Sequence, residues 1–332
     1  MNFDVSSKLL EKMWDTVVDK GISALLRPWQ MKRENKARLD CIRQDKLETL
    51  KIENEAKQLQ LSLDRDHAID AGIIPQIKQI TSEVVSQKVN EILQQEVSVA
   101  KAVAYAGEYV EGKNLDDEKP NETPSQDWLN KWKKRTSEFT DEDALKLWGR
   151  VLAGEFASPG KFSYKFLDWL NGITMTDAQL IMKLAENVIG DIYFREKNEN
   201  GTLSYDNLLE LEELGVLQGV DALGLSVEYS SRDQNSYVNH LSNKTKILLI
   251  EHPDSTKKMK LNNVSSLTRI GKEVMQLCDV ETNPDMIQKL GEHIIKQGFE
   301  VSCADIYSRE NGLIRYRNIR KIELPKPSAN GV

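Results

Sequence analysis

The residues best suited to chemistry in this chain are cations. Arg309, Arg315, Arg317, Arg320 and Lys321 crowd one late segment with few acids between them. A guanidinium presents a fork of donors that fits phosphate or carboxylate, so such a row reads as a site for an anion: a nucleic-acid backbone or the acidic face of a protein. The same row also suits a solvated edge strand whose charges discourage unwanted pairing. A second cationic group, Lys131, Lys133, Lys134 and Arg135, surrounds Trp128 and Trp132. Two indoles four apart share one helix face. They could stack on exposed bases while the cations meet phosphates. A helix that docks both indoles into a core and leaves its lysines in water has the same spacing, and docking is the expectation.

Enzyme chemistry finds less support. His67, His240, His252 and His293 are dispersed, and Cys41, Cys278 and Cys303 fall in no paired spacing. There is no glycine-rich phosphate loop, dinucleotide fingerprint, nucleophile elbow or His-Glu zinc motif in the sequence. Glu155 is the carboxylate most easily imagined in a cleft. Its neighbours Leu152 and Phe156 belong on a packing face, so a carboxylate answering a helix cap or an arginine is expected instead. No residue is assigned to catalysis, a cofactor or a metal.

Elements must position these groups, and composition limits what they can be. A chain of 332 residues, 39% hydrophobic and 29% charged, belongs with folded proteins rather than disordered ones. A net charge of −7 offers no global attraction to nucleic acid or acidic lipid, although a local basic face is compatible with it. Three scattered cysteines argue against a disulfide scaffold and fit a reducing compartment. The opening MNFDVSSKLLEKMWD lacks the features of a secretory signal, and no apolar run is long enough to span a bilayer. A cytoplasmic protein is expected. A membrane-surface role for the amphipathic stretch from Asp4 to Leu26 is less favoured, because its acids and bases balance.

The clearest periodicity is a ladder of small and branched apolar residues: Val85, Val89, Ile92, Val99, Val103, Ala106 and Val110, interrupted at Glu96. Three-four spacing puts these on one narrow stripe of a long helix, the pattern of a coiled coil or long hairpin. They form a candidate assembly seam. A weaker ladder, Ile52, Ala56, Leu59 and Leu63, precedes it in a densely charged stretch.

The expected fold is mainly α with a smaller α+β C-terminal part. Residues 1–111 read as a long helical assembly region and 112–126 as a linker. Residues 127–200 read as a central helical block, with Thr140 and then Thr176–Gln179 as helix-start signals. In 201–280 a helix, two strands near Leu225–Tyr229 and Lys246–Glu251, and a closing helix from Ser265 to Leu277 have the order of a winged helix. Asp206, Glu210, Glu212 and Glu213 on its recognition-helix candidate argue against insertion into DNA. Residues 281–332 read as a helix opened by Asn283-Pro284 plus a hairpin turning at Asn311-Gly312.

The stretch DEDALKLWGRVLAGEFASPGKFSYKFLDWLNGITMTDAQL, with Trp148, Leu152, Gly154, Glu155, Pro159, Gly160 and Leu170, resembles an uncharacterised bacterial protein family with a charged helical front. The resemblance centres on residues 140–280. It implies no catalytic residue, only an accessory or defence-associated context. The leading expectation is therefore a noncatalytic assembly or adaptor protein whose N-terminal helices join copies or partners. A nucleic-acid-associated regulator or defence component is the alternative, and an enzyme with a noncontiguous site is the third reading.

Overall fold

The computed structural model describes residues 13, 16–17, 74–112, 123–195, 203–220, 225–310 and 312–325. The ladder over residues 52–63 and most of the first amphipathic stretch lie outside them, as does most of the expected linker. The chain divides into two units, Met1–Leu167 and Asp168–Val332.

The first unit is helical. Helix α1, Ile74–Gly112, contains the whole ladder; α2 covers Gln126–Thr136, α3 Glu142–Ala157, and α4, Tyr164–Asn171, begins at the unit's end. Ser125 starts α2 by accepting from Trp128 N at 3.3 Å, and Lys133, Lys134 and Arg135 fill its last turn, where cations complement the helix dipole. Both indoles are docked: Trp128 Nε1 donates to Phe162 O at 2.8 Å, and Trp132 Nε1 to Trp148 O at 3.0 Å. Each thus buries its ring without losing its one hydrogen bond. The cap of α3 is Asp141 rather than Thr140. Its carboxylate accepts from both Asp143 N and Ala144 N, two of the first-turn donors that lack partners within the helix.

Helices α1 and α3 cross at small residues. A Cβ on Gly149 would come within 2.6 Å of Ala102 O and 2.9 Å of Ala106 N, so the backbones approach as only glycine permits. Around this point Val99, Val103, Ala106 and Val110 of α1, and Leu145, Trp148, Val151, Leu152 and Phe156 of α3, are buried.

The second unit is richer in strand than expected. Helix α5, Met175–Glu186, is followed by β1, Val188–Ile189, and β2, Ile192–Phe194. Its capping box is Thr174–Asp177, two residues before the expected pair, because Asp177 Oδ2 reaches back to Thr174 N at 2.8 Å. Then come α6, Tyr205–Glu213; β3, Leu217–Gln218; β4, Leu225–Tyr229; β5, Tyr237–Ser242; β6, Lys246–His252; and β7, Met259–Leu267. The chain closes with α7, Arg269–Met275; α8, Pro284–Ile295; β8, Glu300–Glu310; and β9, Leu313–Lys321.

Two antiparallel sheets result. One has β7 between β2 on one side and β3 and β4 on the other, with β1 beyond β2; the second runs β5-β6-β8-β9. The winged-helix expectation for 201–280 is not met. Its hairpin, β5–β6, pairs onward with β8, as in Ile250 opposite Val301, while β7 pairs back to β2, with Ile192 opposite Ser266. The expected closing helix is shorter. Met259 and Leu261 alternate inward as a strand, Asn263 at φ 60° shifts the phase by one residue, and Val264 continues the same buried face, while Leu267 is buried on the other before Thr268 caps α7. Helix α8 begins as expected at Asn283-Pro284. Its Met286, Ile287, Leu290 and Ile294 join Leu261 and Val264 of one sheet and Tyr237, Leu248, Ile250 and Val301 of the other in a single core.

Candidate functional site

The β5–β6 turn organises a polar junction in the second unit. Asn243 Nδ2 donates to Val188 O at 3.0 Å and to Thr282 Oγ1 at 2.8 Å, while its Oδ1 accepts from Thr245 N at 3.1 Å and Lys246 N at 2.9 Å. Thr245 and Thr282 hydroxyls meet at 2.8 Å. The β1–β2 turn lies alongside, where Gly190, at φ 61°, donates its N–H to Ser242 O at 2.9 Å. A left-handed backbone at that tight turn suits glycine.

Three cations converge on this junction. Lys244 Nζ crosses to the end of α7, donating to Gln276 O and Cys278 O, each at 2.7 Å, and to Asp279 Oδ1 at 3.3 Å. Ammonium there complements the negative end of the helix. Lys272 Nζ pairs with Asp191 Oδ2 at 2.6 Å. Arg309 reaches from β8 so that Nη2 donates to Ser242 Oγ at 3.1 Å and to Asn243 O. Burial holds the Arg309 guanidinium below its ordinary pKa, because water solvates its charge less there. Together these segments enclose a pocket of about 290 Å³.

Next to it, Arg232 Nη1 stands 3.2 Å from His240 Nδ1. Burial first, then the charges of Arg232 and Arg309, push His240 below the usual imidazole value. The ring therefore favours its neutral form beside two guanidinium groups.

The other cations of the C-terminal row stand on β9, all exposed. Arg317 lies 5.9 Å from the centre of the Tyr307 ring, and Lys321 pairs with Glu300 at 2.8 Å. Across the hairpin Asp305 accepts from Lys246 Nζ and from Asn318 Nδ2, the latter at 2.8 Å, and these hydrogen bonds hold its carboxyl below the usual carboxylate range. Large apolar side chains share the surface: Leu313 is 66% exposed, Ile319 60% and Tyr307 58%, with Tyr316 beside them.

The helical cationic group is placed differently. Lys133 pairs with Glu96 at 2.9 Å, Arg135 with Glu138 at 3.2 Å, and Lys131 sits 5.9 Å over the Tyr164 ring, while Lys134 is exposed. These cations belong to the first unit and the late row to the second. Of the assembly seam, Val99, Val103, Ala106 and Val110 are buried within the chain, and Ile92 remains 49% exposed. The side chains of Val85 and Val89 lie outside the described residues. So the C-terminal end of the ladder is filled by this chain's own α3, which a stripe in sequence cannot distinguish from a partner.

Glu155 is 2% exposed and accepts from Gly160 N at 2.6 Å and Phe162 N at 2.8 Å. It holds the loop after α3. The histidines stay apart in role: His252 Nδ1 accepts from Asp254 N, and His293 packs 5.0 Å from the Phe194 ring. Cys278 is buried, Cys303 half-buried, and His67 and Cys41 lie outside the described residues. Among the described residues no group of three or more histidine, cysteine, aspartate or glutamate side chains could hold a metal ion, and no helix is long and apolar enough to cross a membrane.

Arg309 was visible in the sequence as a candidate; Lys244, Lys272, Arg232 and His240 were not. They come from separate segments, and each is unremarkable among its neighbours in sequence. Residues 86–190 match the model of a family described as a protein of unknown function, DUF2806, a span that includes α2, α3 and the Trp148–Gly160 stretch. No curated protein and no solved structure matches the chain.

Proposed function

We propose that the chain is a noncatalytic adaptor whose β8–β9 hairpin takes an acidic protein partner. The composition of that hairpin carries the reading. Among the described residues strand β9 ends its sheet, with β8 on one side of its backbone and no strand on the other, and its side chains are almost all in water. An edge of this kind can accept an extended segment through main-chain hydrogen bonds, with side chains setting specificity. Arg315, Arg317 and Arg320 would select carboxylates, whereas exposed Leu313 and Ile319 favour an apolar protein surface over a nucleic acid, which offers aliphatics little. The test is fluorescence anisotropy with an extended peptide of alternating glutamate and leucine. Changing Arg315, Arg317, Arg320 and Lys321 together to glutamine should weaken binding at least about tenfold, since charge-assisted hydrogen bonds are worth roughly 1.5–3 kcal/mol each. Equal binding by the variant rejects this reading.

A nucleic-acid role is the second reading, favoured by the Tyr307–Arg317 pair and by exposed Tyr316, which resemble a stacking platform. It predicts that the same variant loses salt-sensitive binding of single-stranded DNA while wild type ignores the peptide.

Self-association through α1 also remains part of the proposal, now through its N-terminal half. Val84 is 57% exposed and Ile92 49%, so this end of α1 keeps two branched apolar side chains that a second copy could cover. Light scattering after size exclusion should show a wild-type oligomer that Val84→Asp with Ile92→Asp converts to monomer. A wild-type protein that is monomeric at high micromolar concentration removes the self-assembly component.

A further inference from the structure

The geometry points to the pocket beneath the β5–β6 turn as a binding site for a small phosphomonoester, separate from the hairpin surface invoked above. Its lining holds three cations, Lys244, Lys272 and Arg309, against one carboxylate, Asp191. A lining of that balance favours an anion. Lys272 and Asp191 already neutralise one another, and Lys244 is directed at the carbonyls ending α7 with Asp279 beside it. Arg309 differs from both. Its hydrogen-bond partners, Ser242 Oγ and Asn243 O, are neutral, and both bonds leave from Nη2. Among the described residues, Nε and Nη1 therefore retain donors for an incoming oxygen.

A guanidinium carries five N–H donors in a fixed fork, the geometry that binds a phosphate through two parallel hydrogen bonds. Two acceptors on Nη2 fix the plane of Arg309 before a ligand arrives. Ser242, Thr245 and Gln276 add polar residues to the same lining. Opposite in character, Val188, Leu267, Met275 and Val280 offer apolar surface for a carbon body. At about 290 Å³ the space sits at the small end of ligand clefts, roughly 300–1,000 Å³, which suits a phosphate on a compact body rather than a dinucleotide.

The site neither needs nor implies a reaction, since no nucleophile with an adjacent base is among its lining residues. The inference is recognition of a ligand. Arg309 also ties β8 to the β5–β6 turn, so a ligand on its fork would bear on the first strand of the hairpin.

Isothermal titration of the full chain with phenyl phosphate tests it, with benzoate and inorganic phosphate as comparison probes. Phenyl phosphate should bind more tightly than either, because only it offers both a dianion and an apolar body. Arg309→Gln should weaken it at least about tenfold, the loss of two charge-assisted bonds. Arg309→Lys should also weaken it, keeping the charge and losing the fork. Arg320→Gln, on β9, should leave it unchanged, whatever happens to peptide binding at the hairpin. Amide hydrogen exchange of β5, β6 and β8 in Arg309→Gln must match wild type for the loss to count as loss of the site. If exchange in Arg309→Gln does not match, Arg309→Lys decides: native exchange with undiminished binding overturns the inference. So does absence of phenyl phosphate binding at millimolar concentration, binding no tighter than benzoate, or unaltered affinity in a natively exchanging Arg309→Gln protein.

Discussion

Replacing Gly149 with valine is expected to destabilise the helical unit by about 3 kcal/mol or more, read as a lower urea midpoint for the loss of helical signal. The reason is geometric. Even a single Cβ would stand 2.6 Å from Ala102 O and 2.9 Å from Ala106 N, both backbone atoms that cannot turn aside. The helices must then separate, and the packing of Trp148, Leu152 and Val103 around the crossing is lost with the approach. Overpacking ordinarily costs ~1–3 kcal/mol, and a clash with backbone belongs at or beyond the top of that range. Alanine should cost less than valine but more than nothing. An unchanged midpoint for both variants would mean that α1 and α3 do not cross here.

Glu155→Ala is the second large effect, expected at about 3 kcal/mol and again confined to stability. The carboxylate is 2% exposed and serves Gly160 N and Phe162 N. Removing it strands the buried Phe162 N, at ~1–3 kcal/mol, and takes a charge-assisted bond from Gly160 N, which water can reach. Glutamine should fall between wild type and alanine, because its oxygen can accept one N–H while its own NH₂ confronts the other. Thermal melts of the two variants in that order check the assignment. A stable Glu155→Ala protein would return the residue to consideration for chemistry.

Local signals carried much of the fold in the sequence. Asn283-Pro284, the turn glycine Gly312 at φ 75° and the indoles of Trp128 and Trp132 each act over a few residues, and each is found in the expected element. What escaped was pairing at long range. The last residues of β7 suit a helix in sequence, because Leu267, Ile270, Val274 and Leu277 share helical spacing, and only the ladder with β3, where Leu217 lies opposite Leu267, makes Leu267 strand. The hairpin β5–β6 was recognisable as two strands, but nothing in its residues states that β8 will lie beside it. The apolar ladder of α1 was legible as a stripe, and its occupant was not. Val99 and Val103 would present the same spacing to a second chain or to α3. The pocket is harder still, since its cations come from β8, α7 and a turn, and Lys244 has no feature of its own until the end of α7 is placed against it.

Asn243 uses both amide hydrogens and both acceptor directions of its side chain, on Val188, Thr282, Thr245 and Lys246. No rotation of that amide preserves all four bonds. The turn that carries Ser242, Lys244 and Thr245 therefore has one conformation available to it, and the entropy of choosing it is lost on folding rather than on binding. A ligand arriving at this wall would meet an already ordered surface, so its affinity should depend on what it contacts and hardly at all on what it must organise.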